Sequence, residues 1–225
     1  MKAIVAFSGG LDSTVLAYQC RDLGYAIRLV SFDYGQRHRK EIKHAKSIAQ
    51  LLKARHDIID LTGLGKFLTG SSLTDTIAVP DGHYAAETMR ITVVPNRNAI
   101  MLAALFGIGV ADESDYIAIA NHAGDHFIYP DCKPEFIGAF AAMQAKALEG
   151  ISDCQLLAPF MSITKDAIVS IGNKLRVPFE KTWSCYKGGE VHCGTCGTCT
   201  ERIEAFELSG VADPTIYGMK ISTDY

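Results

Sequence analysis

The sequence predicts an α/β fold: a doubly wound, mostly parallel sheet with a cysteine-rich, zinc-binding segment at its C-terminal end. Three observations predict it. Short apolar runs alternate with stretches of helical period through residue 61. The first run ends in a glycine pair that opens a helix, and four cysteines crowd into residues 185–199.

Residues 3–7 form a short apolar run ending in glycines, which reads as a buried parallel strand. Residues 12–23 carry Val15, Leu16, Cys20 and Leu23 at helical spacing, and Gly24 stops the helix. Residues 27–32 read as a second strand, residues 41–52 as a second helix and residues 57–61 as a third strand. In the second helix Ile42, Ala45, Ile48, Ala49 and Leu52 share one face. This βαβαβ order is the mark of a doubly wound parallel sheet. Residues 62–90 are irregular and longer than a routine connection, so they are expected to be a functional loop. A buried helix is expected over 98–111, a strand over 116–120, and a helix over 133–149 opened by Pro134. A strand over 156–160 then precedes a helix capped by Thr164, with Lys165 and Asp166 in its first turn. A last helix is expected over 200–208. The expected division is a main domain over 1–182 with the segment 183–225 packed on it.

Bulk properties narrow the function. Acidic residues number 25 and basic residues 22, a net charge of −3 that exerts no global pull on nucleic acid or an anionic membrane. The opening apolar run is too short for a secretory signal, and the longest later one, residues 99–111, is too short for a membrane span. A cytoplasmic protein is expected. Its seven cysteines do not form a disulfide framework, because Cys20, Cys132 and Cys154 are scattered and the other four are clustered.

The string Ser8-Gly9-Gly10-Leu11-Asp12-Ser13-Thr14 lies between the first strand and the first helix. Glycines let backbone N–H groups approach an anion, and the helix adds free donors and the positive end of its dipole. Ser8, Ser13 and Thr14 add hydroxyls, although Ser13 and Thr14 also suit simple helix capping. Asp12 is out of place beside a phosphate unless Mg²⁺ reconciles the charges. The Lys of a Walker A loop and the Gly-x-Gly-x-x-Gly of a dinucleotide fingerprint are both missing. The complete string resembles the PP-loop of N-type ATP pyrophosphatases, and that resemblance implies ATP cleaved between its α and β phosphates.

Cys185, Cys193, Cys196 and Cys199 give C-x7-C-x2-C-x2-C. Four thiolates in a closed tetrahedron suit one structural Zn²⁺. An Fe–S cluster and a redox dithiol are the competing readings; the first lacks the Cys-Pro continuation and the second leaves two cysteines unexplained.

Taken together, these motifs resemble the family of 7-cyano-7-deazaguanine synthases of the queuosine pathway. The likeness includes Phe7 to Thr14, Phe32-Asp33-Tyr34-Gly35-Gln36-Arg37-His38 and Val94-Pro95-Asn96-Arg97-Asn98. It continues in Tyr129-Pro130-Asp131-Cys132-Lys133-Pro134-Glu135-Phe136, Ala158-Pro159-Phe160 and Thr182-Trp183-Ser184-Cys185-Tyr186. Where many members read Asp-Tyr-Ser-Gly-Tyr-Pro, this chain reads Asp125-His126-Phe127-Ile128-Tyr129-Pro130. The resemblance implies an adenine nucleotide alpha hydrolase-like fold, a homodimer, and 7-carboxy-7-deazaguanine, ammonia and ATP as reactants. ATP would activate the carboxylate as an acyl-adenylate, ammonia would give the amide, and a second activation would dehydrate it to the nitrile.

Residues expected to hold ATP and Mg²⁺ are Phe7, Ser8, Gly9, Gly10, Leu11, Asp12, Ser13 and Thr14, with Asp33 at the end of the second strand. Gln36, Arg37 and His38 read equally well as an anion clamp and as a solvated charged turn. Asp12, Arg97 and Lys165 are the expected catalytic residues, Arg97 because a charge entering an apolar helix needs a partner. Asp125, Tyr129 and Asp131 are expected to recognise the base, although either aspartate also suits a helix cap. Two other functions remain open on the residues alone. One is a tRNA-thiolating enzyme, disfavoured by the charge and the clustered cysteines. The other is a zinc or Fe–S interaction module, which leaves the glycine loop without purpose.

Overall fold

The computed structural model describes residues 1–218. Residues 219–225, the end of the expected cysteine segment, lie outside the described residues. The first half runs β1 (Lys2–Ala6), α1 (Leu11–Asp22), β2 (Ala26–Asp33), α2 (Lys40–Leu52), β3 (Arg55–Asp60) and the single turn α3 (Thr62–Gly65). The second half runs α4 (Arg97–Ala111), β4 (Tyr116–Ala118), α5 (Pro134–Ala147), β5 (Gln155–Leu157), α6 (Lys165–Lys174) and α7 (Gly197–Ser209). Every strand pair is parallel, in the order β3-β2-β1-β4-β5. No helix among the described residues is long and apolar enough to cross a membrane.

Successive strand side chains point to opposite faces, and β1 and β2 divide their residues accordingly. Val5 and Leu29 join Val15, Leu16, Ile48, Ile168 and Phe206 in a core layer under α1, α2, α6 and α7. Ile4, Val30 and Ile117 join Leu102, Leu105, Phe106 and Phe140 under α4 and α5. Helices therefore cover both faces, as the doubly wound pattern requires. Each such aliphatic side chain contributes roughly 1.5–3 kcal/mol on burial.

The strand expected over 116–120 is only Tyr116–Ala118, and three further elements differ from expectation. The strand expected over 156–160 is only Gln155–Leu157, because Pro159 has no N–H to continue a ladder. Thr164 stands at the N-cap of α6 but its hydroxyl makes no capping bond. The last helix starts at Gly197 rather than at Thr200. Its start is set by tertiary contacts: Cys196 turns into the cysteine cluster, and Thr198 Oγ1 donates to Ser184 O at 2.7 Å. The long loop after α3 is mostly irregular, as expected, and crosses to the cysteine segment, where Gly82 N donates to Thr195 O at 2.9 Å.

Arg202 of α7 fastens that segment to the sheet layers. Its guanidinium is buried and donates to Thr182 Oγ1 at 2.8 Å, Phe179 O at 3.1 Å and Ser184 Oγ at 3.2 Å. Its Nε lies 3.5 Å from Asp213 Oδ1, an ionic contact without hydrogen-bond alignment. Replacing Arg202 by Met fills the space but strands a buried carbonyl, two hydroxyls and a carboxylate. The expected cost is about 3–5 kcal/mol, read from the urea midpoint; an unchanged midpoint would mean that water replaces the guanidinium.

Candidate active site

A cavity of about 300 Å³ opens at the carboxyl ends of β1, β2 and β4. The chain leaves β1 towards β2 and β3 on one side and reaches β4 and β5 on the other. The cavity therefore occupies the point where strand order reverses, the usual ligand crevice of open α/β sheets.

One end of the cavity is the loop after β1. Gly9 has φ +78°, and a Cβ there would stand 2.5 Å from Ala45 N of α2. Only glycine satisfies both the left-handed backbone and the approach of α2. Ser8 Oγ accepts from Gly10 N at 3.2 Å and lies 3.1 Å from Ser13 Oγ, which holds the two hydroxyls together at the helix entrance. The carbonyl of Gly9 accepts from Trp183 N at 3.0 Å, so the C-terminal segment closes the loop from outside.

Three helix beginnings meet beside this loop. Lys165 is the first residue of α6, at the positive end of a helix dipole that disfavours a cation. Asp12, from the first turn of α1, places Oδ2 at 3.3 Å from the lysine Nζ. Glu201, from α7, accepts a hydrogen bond from the same Nζ. Burial opposes the charge on Lys165, but the carboxylates of Asp12, Glu201 and Asp125 outweigh it and hold its pKa above the ordinary lysine value. Burial raises the pKa of Glu201, and Lys165 and His122 partly offset that rise. The other oxygen of Asp12, Oδ1, is buried and has no protein partner.

The other end is aromatic and cationic. Arg97, at the start of α4, reaches Tyr34 Oη at 3.5 Å. Burial opposes its charge, while Tyr34, Tyr186 and Cys132 favour it; among the described residues no carboxylate pairs with it. Tyr129 lines the same end, with its hydroxyl 2.8 Å from Thr92 Oγ1. Burial pushes the Cys132 thiol well above the usual cysteine range, so it stands as a neutral group beside Arg97.

Of the residues expected from the sequence, Phe7, Ser8, Gly10, Leu11, Asp12, Ser13, His38, Arg97, Asp125, Tyr129 and Lys165 line the cavity. Gly9, Thr14, Asp33, Gln36, Arg37 and Asp131 are engaged elsewhere. Thr14 Oγ1 donates back to Gly10 O at 2.7 Å. Asp33 pairs with Arg39 and accepts from Gly35 N, and Gln36 ties Phe32 O, Tyr34 N and Glu41 together. Arg37 donates outward to Ile77 O at 2.6 Å. Asp131 caps α4, accepting from Asn98 N at 3.0 Å, rather than the helix at Pro134. Glu201, Tyr34 and Tyr186 enter the cavity without having been singled out. Tyr34 and Tyr186 lie within the strings that carry the family likeness, and Glu201 lies two residues after a clustered cysteine.

The four clustered cysteines converge as well. Their sulfurs all lie within 4.8 Å of one another, and Cys193 Sγ is 3.8 Å from Cys199 Sγ. Backbone N–H groups of Thr195 and Cys196 point at Cys193 Sγ, at 3.4 and 3.3 Å.

The sequence model described as Queuosine biosynthesis protein QueC matches residues 2–210. The chain belongs to this family. Proteins named 7-cyano-7-deazaguanine synthase from Rhizobium johnstonii and Brucella anthropi are each 60% identical to it over 217 residues. That span is 96% of this chain and 92% and 94% of theirs. Among solved structures, NMN synthetase from Francisella tularensis superposes with a TM-score of 0.52 at 14% identity, covering 94% of this chain and 77% of that one. A structure described as a predicted subunit of tRNA methyltransferase from Methanocaldococcus jannaschii gives 0.50 at 19% identity, over 77% of this chain and 74% of that one. These two share the fold.

Gly9→Ala tests the loop. The left-handed backbone and the overlap with α2 together should lower stability by at least about 2 kcal/mol, measured by urea unfolding. A variant as stable as the parent would show that α2 recedes without cost.

Proposed function

We propose that this QueC-family enzyme converts 7-carboxy-7-deazaguanine and ammonia to 7-cyano-7-deazaguanine at the expense of ATP. The observation that carries the reading is the pairing of Lys165 and Asp12 beside the glycine loop, in the same cavity as the carboxylate-free Arg97. One end suits a polyphosphate and the other a planar anionic base.

In this reading a carboxylate oxygen of the substrate attacks the α-phosphorus and pyrophosphate leaves. Ammonia displaces AMP to give the amide, with loss of a proton. The amide oxygen attacks a second ATP in the same way. Departure of AMP and loss of two N–H protons then leave the nitrile. Backbone N–H groups and hydroxyls of Ser8 to Ser13, with Lys165, receive the charge that develops on the phosphates. Arg97 holds the carboxylate end of the substrate, and the rings of Tyr34, Tyr129 and Tyr186 enclose the base. Asp125 faces the same cavity and suits the N–H donors of a deazaguanine edge.

The buried, unpartnered Oδ1 of Asp12 fits a divalent cation. Asp12 would hold Mg²⁺, which when bound neutralises charge on the pyrophosphate leaving group. The four-cysteine site fits Zn²⁺: Zn–S bonds of about 2.3 Å in a tetrahedron put sulfurs about 3.8 Å apart. We assign this ion a structural role. A thiolating enzyme needs a reactive thiol, whereas Cys132 is held neutral and the clustered sulfurs face one another. The reading places the enzyme in the cytoplasm as a homodimer, with ammonia taken free or from a partner.

Incubation with 7-carboxy-7-deazaguanine, ammonium and Mg-ATP should yield the nitrile by mass spectrometry and pyrophosphate by phosphorus NMR. Release of ADP and orthophosphate instead would contradict adenylylation. Asp12→Ala should lose at least about 100-fold in kcat, a range typical of lost electrostatic stabilisation, while keeping its zinc; equal activity would remove Asp12 from metal binding. Purified protein should be colourless with about one zinc per chain, and chelation should lower its melting temperature. Brown protein with broad visible absorption would mean an Fe–S cluster.

A further inference from the structure

Glu201 is buried beside Lys165, and the reaction scheme above leaves it without a step. Its Oε2 accepts from Lys165 Nζ, and its Oε1 lies 3.7 Å from Nε2 of His122. His122 is itself 1% exposed. The Nδ1 of that ring accepts from Gly124 N at 3.0 Å, which leaves Nε2 as the donor nitrogen. Nε2 faces two carboxylates, Glu201 and Asp125, each at 3.7 Å. Asp125 in turn accepts from His122 N at 3.1 Å, which fixes the turn that carries the ring. Space for this arrangement depends on Gly124. A Cβ there would stand 2.8 Å from His122 Cε1 and 2.9 Å from Glu201 Oε1.

α7 explains how Glu201 reaches this place. Residues two apart on a helix point about 200° apart, so Cys199 turns to the cysteine cluster while Glu201 turns to the cavity. The first turn of α7 is thus anchored on one side by the cluster and presents a carboxylate on the other. Lys165, by contrast, has a flexible four-carbon stem, and its contact with Asp12 alone is longer than a good hydrogen bond.

We propose that Glu201, backed by His122 in a gap kept open by Gly124, is a positioning residue that aims Lys165 at the Ser8–Ser13 loop. Glu201 lines the cavity, but in this proposal it acts through the lysine. The proposal rests on the reading of Lys165 as the phosphate-facing cation.

A double-mutant cycle tests it. Glu201→Gln keeps the size of the side chain and removes its charge, and should lower kcat 10- to 100-fold with the KM for the deazapurine unchanged. Lys165→Met should lower kcat further, and adding Glu201→Gln to it should cost less than twofold more. Gly124→Ala should follow Glu201→Gln, since it displaces the same carboxylate, and urea unfolding of each variant identifies any that fails to fold. The proposal falls if Glu201→Gln matches the parent, or if the two losses multiply in the double variant. If the parent protein itself neither binds nor cleaves ATP, the underlying reading fails and takes the proposal with it. Turnover by the parent with multiplying losses would sink the proposal alone.

Discussion

The ammonium of Lys165 organises the site. It lies at the start of α6, where the helix dipole repels it, and is largely withdrawn from water, with 13% of its side chain exposed. Only the opposed carboxylates of Asp12 and Glu201 make that location tolerable. Because these three residues come from α1, α6 and α7, one buried ion triad holds three helix beginnings at fixed distances around the loop after β1. A cation kept charged and immobile there needs little reorganisation when an anion arrives, which is the physical content of electrostatic preorganisation.

The same triad explains why the cysteine segment is part of the wall of the site and not an appendage. Trp183 N binds the carbonyl of Gly9, Thr198 binds the carbonyl of Ser184, and Arg202 gathers the carbonyl and hydroxyls of residues 179–184. Phe206 anchors α7 in the core, but residues 184–196 form no helix or strand and carry few apolar side chains, so packing alone holds them weakly. Four cysteine sulfurs converge on one point, within 4.8 Å of one another, and an ion held there would supply rigidity. The polar network would then transmit it to the glycine loop on one side and to Lys165 on the other.

What was legible in the sequence was local. The strand, glycine pair and helix that open the chain are each specified within a few residues, and the cysteines announce themselves by spacing. Orientation was less legible. Asp33 sits at a strand end, as ligand contacts do, but its carboxylate closes its own turn onto Gly35 and pairs with Arg39. Asp131 lies beside the start of α5 yet caps α4, through a bond to a residue 33 positions away. Glu201 and Lys165 are 36 positions apart, and no periodicity couples them. Errors of this kind follow from the physics: short-range propensity fixes elements, whereas the direction of a polar side chain is settled by whichever partner the folded chain brings within reach.

The cavity's two ends differ in a way that bears on repeated use of one site. At the loop end the donors are backbone amides, hydroxyls and a fixed ammonium, which suit any phosphate chain and are indifferent to the acceptor. At the other end Arg97, three tyrosines and a neutral thiol surround the space with polarisable, uncharged groups and one cation. A carboxylate would pair with Arg97 outright. An amide would retain a hydrogen bond from the guanidinium to its oxygen, so the same residue orients the oxygen of both. Among the described residues no carboxylate pairs with Arg97, and the tyrosine hydroxyls can donate or accept as the group changes. For the proposed activation of an acid and then its amide, this asymmetry is what the site needs: a rigid phosphate end, and an acceptor end that tolerates loss of one charge.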